Sequence, residues 1–442
     1  MSSIDWIVLL GTLIFIVAYG VWKTRHINTS DAYLRGGNDT PWWVIGLSIM
    51  ATQASAITFL STPGQGYDEG MGFVQFYFGL PLAMVLLSIF VLPLYYRLKV
   101  YTAYEFLENR FDLKTRTLTS VLFLIQRGLA AGITIYAPSI ILSSLLGWNL
   151  NLTNLLIGTL VIVYTVAGGT QAVSQTQKQQ MIVIMTGMVL AFVSVIQLFP
   201  ENVSFRDAMW TAGQLDHMQV IDTTFDLNNR YTLWTGLLGG TFLFLSYFGT
   251  DQSQVQRYLS GRSLTQSRLG LMFNGLFKIP MQFFILLVGV MVFIFYQYQN
   301  APLHFNPSNI EAISSSERWD EYKNMEESFD LLQEQKRQQL IQLQEVKNTN
   351  PDQIPGVSQT LNALYQKELD MRSEADRLIA SVNDDLDTED SDYVFISFVL
   401  EHMPIGLIGL LLAVIFSAAM SSTASELNAL STTTLVDIYK RS

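Results

Sequence analysis

The residues of this chain that could do chemistry are few, and they sit inside apolar segments. One group is Ser417–Thr434, SAAMSSTASELNALSTTT, in which nine of eighteen residues are Ser or Thr and Glu426 is the one acid. It runs on directly from PIGLIGLLLAVIF. Ala418, Ser421, Ser422 and the pair Ser425/Glu426 share one face of a helix, because residues three and four apart are neighbours there. Hydroxyl and carbonyl oxygens are hard ligands, suited to an alkali cation rather than a transition metal. Neutral oxygens also hold an ion weakly enough to release it. The plainer reading, hydroxyls bonding back to their own helix, stays open for 431–434. A second group is VIGLSIMATQASAITFLSTPGQGY, residues 44–67, with Ser48, Thr52, Gln53, Ser55 and Thr58 ahead of Pro63 and Gly64. Its alanines at 51, 54 and 56 fit close helix packing. They equally fit a helix broken midway, whose freed carbonyls coordinate a cation. A third group is two cations, Arg127 and Lys278. Arg127 lies ten residues, or ~15 Å, into its apolar run, close to the middle of a ~30 Å hydrocarbon layer. Such charges face a bundle interior and mark a site. The alternatives are a structural ion pair for Arg127 and snorkelling to the interface for Lys278.

The elements that must position these residues are membrane spans. Half of the 442 residues are hydrophobic. Nine runs approach the roughly 20 apolar residues a span requires: 4–23, 41–61, 73–98, 117–146, 152–169, 179–199, 232–250, 269–298 and 396–430. The first is no signal peptide, because it starts on MSSID and its positive flank, Lys23 and Arg25, comes afterwards. Cysteine is absent, which excludes disulfides, thiolate metal sites and a Cys nucleophile. The four histidines, at 26, 217, 304 and 402, have no metal-binding spacing. No phosphate-binding glycine loop appears. The composition therefore points away from an enzyme, from cofactors and from nucleic acid.

Net charge and sidedness separate cleanly. Residues 299–391 carry 19 Asp/Glu and 8 Lys/Arg, so they hold the whole net charge of −11. With the N-terminus outside, cytoplasmic loops take Lys23, Arg25, Arg35, Arg97, Lys99, Arg110, Lys114, Arg116, Lys178, Arg257, Arg262, Arg268, Lys440 and Arg441. The short outside loops keep only Arg206 and Arg230, the positive-inside pattern. The acidic insertion then lies outside. Within it, FDLLQEQKRQQLIQLQEVK and LNALYQKELDMRSEADRLIA have helical apolar spacing around the turn NTNPDQIPG. This reads as a solvated helical hairpin, with a docking site as the sharper alternative. Three regions result: 1–298 and 392–442 in the membrane, with 299–391 an extracytoplasmic hairpin.

As a set, SAITFLSTPGQGY, YRLKVYTAYEFLENRF, ITIYAPSIIL, YTVAGGTQAV, FGTDQSQVQRYLSGR and AAMSSTASELNALSTTTLVDIYKR resemble the sodium:solute symporter family. The likeness is greatest to its iodide, monocarboxylate and multivitamin branch, and covers nearly all spans in order. It implies the leucine-transporter-type inverted-repeat fold: a leading helix, core helices one to eight, and a second repeat left incomplete where the chain stops at Ser442. On that reading the chain is a fragment, or a second polypeptide completes it. The resemblance places a sodium site on the carbonyls of Ala51, Ala54 and Ala418 and the hydroxyls of Ser421 and Ser422, with Na+ the coupling ion. It places substrate contacts at Thr58, Arg127, Tyr247 and Lys278. Tyr247 matches the inner gating aromatic of the sugar transporters, and Lys278 matches a substrate-contacting lysine. One departure is Gln177, where the family usually has Asp, an additional sodium site in some members. Glu426, one turn beyond Ser422, is the candidate replacement carboxylate on the exit path. The implied function is sodium-coupled import of a small organic solute, an anion such as a carboxylate or acidic sugar, in the plasma membrane (a bacterial inner membrane). The rival readings are a sodium/sugar symporter, favoured if Lys278 rather than Arg127 lines the site, a transporter-like membrane sensor, and a non-functional fragment.

Overall fold

The computed structural model describes residues 1–25, 30–226, 228–383 and 386–441, so His26 lies outside it. The described residues are helical, with no strand beyond an isolated bridge between Thr40 and Gly261. In chain order they form α1 (Ser3–Thr24), α2 (Trp42–Gln53), α3 (Ala56–Glu69), α4 (Gly72–Leu98), α5 (Ala103–Arg110), α6 (Leu113–Leu146), α7 (Leu150–Gln197) and α8 (Phe205–Gln214). There follow α9 (Gly240–Thr250), α10 (Gln252–Leu259), α11 (Leu264–Tyr298), α12 (Trp319–Thr349), α13 (Ile354–Ala380), α14 (Ser391–His402) and α15 (Leu407–Thr433), which winds on through Tyr439.

Six described helices are long and apolar enough to cross a membrane, and the bent pair α2–α3 makes a seventh. Eight of the nine apolar runs fall on these spans, and the run at 232–250 falls on α9 and the helical turn before it, too short to be counted among them. The runs at 152–169 and 179–199 lie on either side of a kink at Gly169 within the 48 residues of α7. Gly169 has φ 51°, and a β-carbon there would lie 2.5 Å from the Tyr33 carbonyl, so the second stretch starts at the glycine pair. The run at 232–250 breaks at Asp251 and restarts as α10. The run at 396–430 is two helices, because Met403 is extended and Gly406 has φ 90°.

Burial explains how so polar a segment as α15 can cross the bilayer. Its apolar window is 94% buried, against 28% for α1 and α6, so its hydroxyls meet protein rather than lipid. Asp5 of α1 locks its start. One carboxylate oxygen accepts the Gly406 and Gly409 N–H groups at 2.7 and 3.2 Å, capping α15 from another helix.

The acidic insertion is a hairpin of α12 and α13, as its periodicity indicates, but it is not merely solvated. Leu340, Leu343, Val346, Val357 and Leu361 belong to the same hydrophobic core as the spans. Lys347 pairs with Asp207 of α8 at 2.6 Å, and Gln344 reaches Thr211 and Tyr298, each at 3.2 Å. The buried Lys336 and Glu368 join the two arms, with Arg372 3.4 Å from Glu368.

Candidate functional site

The broken span creates the first half of the site. Ala54 (φ −85°, ψ 88°) and Ser55 (φ −77°, ψ 175°) leave the helix, and α3 restarts at 68° to α2. The break falls two turns before Pro63. The Pro63–Gly64 pair instead allows close packing: a β-carbon on Gly64 would lie 1.9 Å from the Ser391 carbonyl. Ser421 Oγ of α15 donates to the Ala51 carbonyl at 2.8 Å and lies 3.0 Å from the Ala418 carbonyl. Ser422 Oγ lies 3.4 Å from the same Ala418 oxygen. Ala54 sits at the bend itself, its N–H bonded to Met50 O at 2.8 Å. All five residues are buried. The donors are neutral hard oxygens, a set that fits an alkali cation once the hydroxyls rotate their protons away.

Gln177 of α7 stitches the same two helices together. Its amide nitrogen lies 2.7 Å from Ser425 Oγ and 3.0 Å from both Thr52 Oγ1 and the Ser421 carbonyl, while Ser48 Oγ contacts its amide oxygen. The residue of α15 that reaches Gln177 is therefore Ser425. Glu426, about 100° further round the helix, points to α6. It accepts from Arg127 at 3.1 Å and lies 3.5 Å from Thr134 Oγ1. The structure does not bring Glu426 to Gln177.

Arg127 is held by two acids. Besides Glu426 it contacts Asp251, at the break between α9 and α10. Tyr247 stands beside it, its ring 5.8 Å from the guanidinium carbon, and accepts from Gln254 at 2.7 Å. Arg127, Asp251 and Tyr247 line a cavity of about 290 Å³ with Tyr104, Gln126 and Ser246. Lys278 is the opposite case. It is fully buried rather than snorkelling, and its ammonium has no hydrogen-bond partner among the described residues. It sits 5.7 Å from the centre of the Tyr77 ring, within cation–π range. One turn to either side are buried Asn274 and Gln282, whose side-chain oxygens are also unpartnered. Gln282 donates to Thr62 at 3.3 Å, so this stripe of α11 faces α3 and α4. Thr58 lies half-buried in the first turn of α3. The structure thus pairs Arg127 with Tyr247 but gathers neither with Lys278 or Thr58 through a hydrogen bond. Sequence reasoning missed Asp251, Tyr77 and the Asn274–Lys278–Gln282 stripe. Its four-residue spacing on an apolar helix was the available signal.

A helix pair bent at its middle, facing a hydroxyl-bearing buried span, is the arrangement expected of an ion-coupled carrier. The profile of the sodium:solute symporter family matches residues 33–320 and 381–442. This chain belongs to that family. The unmatched residues are 1–32 and an internal stretch, 321–380, that falls on the hairpin. The mouse sodium-coupled monocarboxylate transporter 2 is 31% identical over 274 residues, 61% of this chain and 44% of that protein. The human sodium/iodide cotransporter is 32% identical over 270 residues, 61% of this chain and 41% of its own length. The sodium/sialic acid symporter of Proteus mirabilis is 26% identical over 447 residues, 99% of this chain and 71% of that protein. The chain thus spans less than half the length of the first two relatives. A solved Na+-coupled sialic acid symporter, in a substrate-bound outward-open state, superposes with a TM-score of 0.73 at 24% identity. It covers all of this chain and 74% of its own, so the fold is shared.

Proposed function

We propose that this chain acts as a sodium-coupled symporter that moves a small organic anion, by alternating access and without covalent chemistry. The observation that carries the reading is the meeting of the Ala51 and Ala418 carbonyls with Ser421 and Ser422 at the α2–α3 break. Sodium held there, with Ala54 completing the set, ties α2 to α15, and coupling follows if ion and solute each raise the other's affinity. Iodide, monocarboxylates and sialic acid, named for the relatives, share a single negative charge. Among the described residues buried Lys278 has no counter-ion to compete for such a charge, and Thr58 and Tyr247 are the further solute contacts. The charge distribution along the loops supports an N-terminus and hairpin on the outer face of the plasma membrane.

A neutral sugar is the second reading, favoured by Lys278 lying in the bundle while Arg127 is neutralised. The test is solute uptake into proteoliposomes under a sodium or potassium gradient, with lactate, sialic acid and glucose as probes. Uptake of an anion that requires sodium is expected. Ser421→Ala is expected to raise the half-saturating sodium concentration about tenfold, ~1.4 kcal/mol. Anion uptake indifferent to sodium would sink the proposal, and sodium-driven glucose uptake would establish the second reading instead.

A further inference from the structure

The amide of Gln177 is enclosed more completely than a bridging side chain requires. The residue is fully buried in α7. Its nitrogen has three oxygens around it: Ser425 Oγ at 2.7 Å, and Thr52 Oγ1 and the Ser421 carbonyl at 3.0 Å each. The Ser421 carbonyl can only accept, so the nitrogen is the end of the amide that faces this group. Thr52 Oγ1 and Ser425 Oγ also lie 2.7 Å from each other, so the oxygens converge on one point. An amide nitrogen carries two protons, one fewer than the acceptors around it. Three converging oxygens are instead the surroundings that a small hard cation takes. The group borders the sodium residues directly. Ser421 turns its carbonyl to Gln177 and its hydroxyl to the Ala51 carbonyl. All of these oxygens are neutral, and the acid of α15, Glu426, is engaged by Arg127 on another face.

We propose that the Gln177 amide nitrogen stands where a second cation would sit, so that this chain binds one sodium ion and joins α2 to α15 at the second point without an ion. The inference rests on the sodium-site reading at Ala51, Ala418, Ser421 and Ser422. An NH2 group offers these oxygens partial positive charge and needs none of the desolvation that a buried free ion requires. Because the amide is fixed to α7, its bonds to Thr52, Ser421 and Ser425 hold one side of the sodium site in place before the ion arrives. Gln177 is thus a positioning residue that also sets the number of ions. A carboxylate of the same length would remove the two protons and turn a negative group toward the same three oxygens, a set that a cation completes.

The test is the thermal midpoint of the purified full chain in neutral detergent at pH 8, followed against sodium concentration with choline holding the ionic strength constant. At saturation, the slope of stability against the logarithm of sodium concentration counts the bound ions. The wild type is expected to show a one-ion slope. Gln177→Glu is expected to be less stable than the wild type without sodium and to show a slope about twice as steep. Gln177→Met, which removes the amide and adds no charge, is expected to keep the one-ion slope with a midpoint several degrees lower. A two-ion slope in the wild type, equal slopes in the wild type and Gln177→Glu, or a Gln177→Met midpoint that does not fall overturns the proposal. A flat wild-type response beside a one-ion slope in Gln177→Glu keeps the proposal and sinks the sodium-site reading instead.

Discussion

Arg127 on α6 and Lys278 on α11 are both cations deep in apolar helices, yet their surroundings are opposite. Arg127 is 13% exposed, opens onto a cavity and is bracketed by Asp251 and Glu426 from two other elements. Lys278 is fully buried, contacts the face of Tyr77 and, among the described residues, has no carboxylate beside it. A buried charge is tolerated when paired and costly when not. Arg127 therefore already has the partners a solute anion would offer, and its place in the fold is to join α6, α15 and the α9–α10 break. Lys278 has no such partner among the described residues, which leaves its nitrogen available to a ligand. The difference teaches that depth in a span identifies a special cation, and its neighbours decide which kind.

The largest effect that could break this comparison is expected at Arg127. Arg127→Gln leaves two acids facing each other in a partly buried setting, and a loss of about 3 kcal/mol of stability is expected. Sodium binding and uptake should fall together, because Glu426 is one turn from Ser422 on the same helix. Adding Asp251→Asn and Glu426→Gln should restore most of the stability, read as the thermal midpoint. If Arg127→Gln is well folded and binds sodium normally while anion uptake disappears, Arg127 is a solute contact and the assignments must be exchanged.

A separation of stability from function is expected at Lys278. Lys278→Met keeps an unbranched chain only one atom shorter and removes an unpaired buried charge, so the midpoint should rise or hold. Uptake of an anion should fall 30-fold or more, the loss of about 2 kcal/mol from a desolvated charge contact. A thermal midpoint that drops by several degrees would mean that Lys278 is compensated by groups within the protein.

Much of this arrangement was legible in the sequence, and the parts that were not share a cause. Ala418, Ser421 and Ser422 could be grouped because they share one helix face at fixed spacing, whereas Ala51 and Ala54 joined them only through the family resemblance. The spans could be read from hydropathy, except where Gly169, Asp251 and Gly406 broke them, since a single backbone turn leaves no hydropathy signal. The partners of Arg127 could not be read. Asp251 and Glu426 are 124 and 299 positions from it along the sequence, and only the fold sets them side by side. For the same reason Glu426 was expected near Gln177, whereas the structure gives that place to Ser425, one residue away and on a different face.

The smallest expected effect refines the Lys278 side of the comparison. Asn274 and Gln282 flank Lys278 by one helical turn each, and each keeps a buried oxygen without a partner. If these oxygens face the solute's polar groups, each contributes about one net hydrogen bond, or 0.5–1.5 kcal/mol. Asn274→Leu and Gln282→Leu should then raise the KM for the anion between about threefold and tenfold with little change in kcat, because the contact would act equally in binding and translocation. Stability should hold or improve, since an apolar side chain replaces an unsatisfied polar one. A fall in stability with KM unchanged would assign the two amides to packing between α11, α3 and α4. Lys278 would then be the sole polar contact for solute on that face of α11.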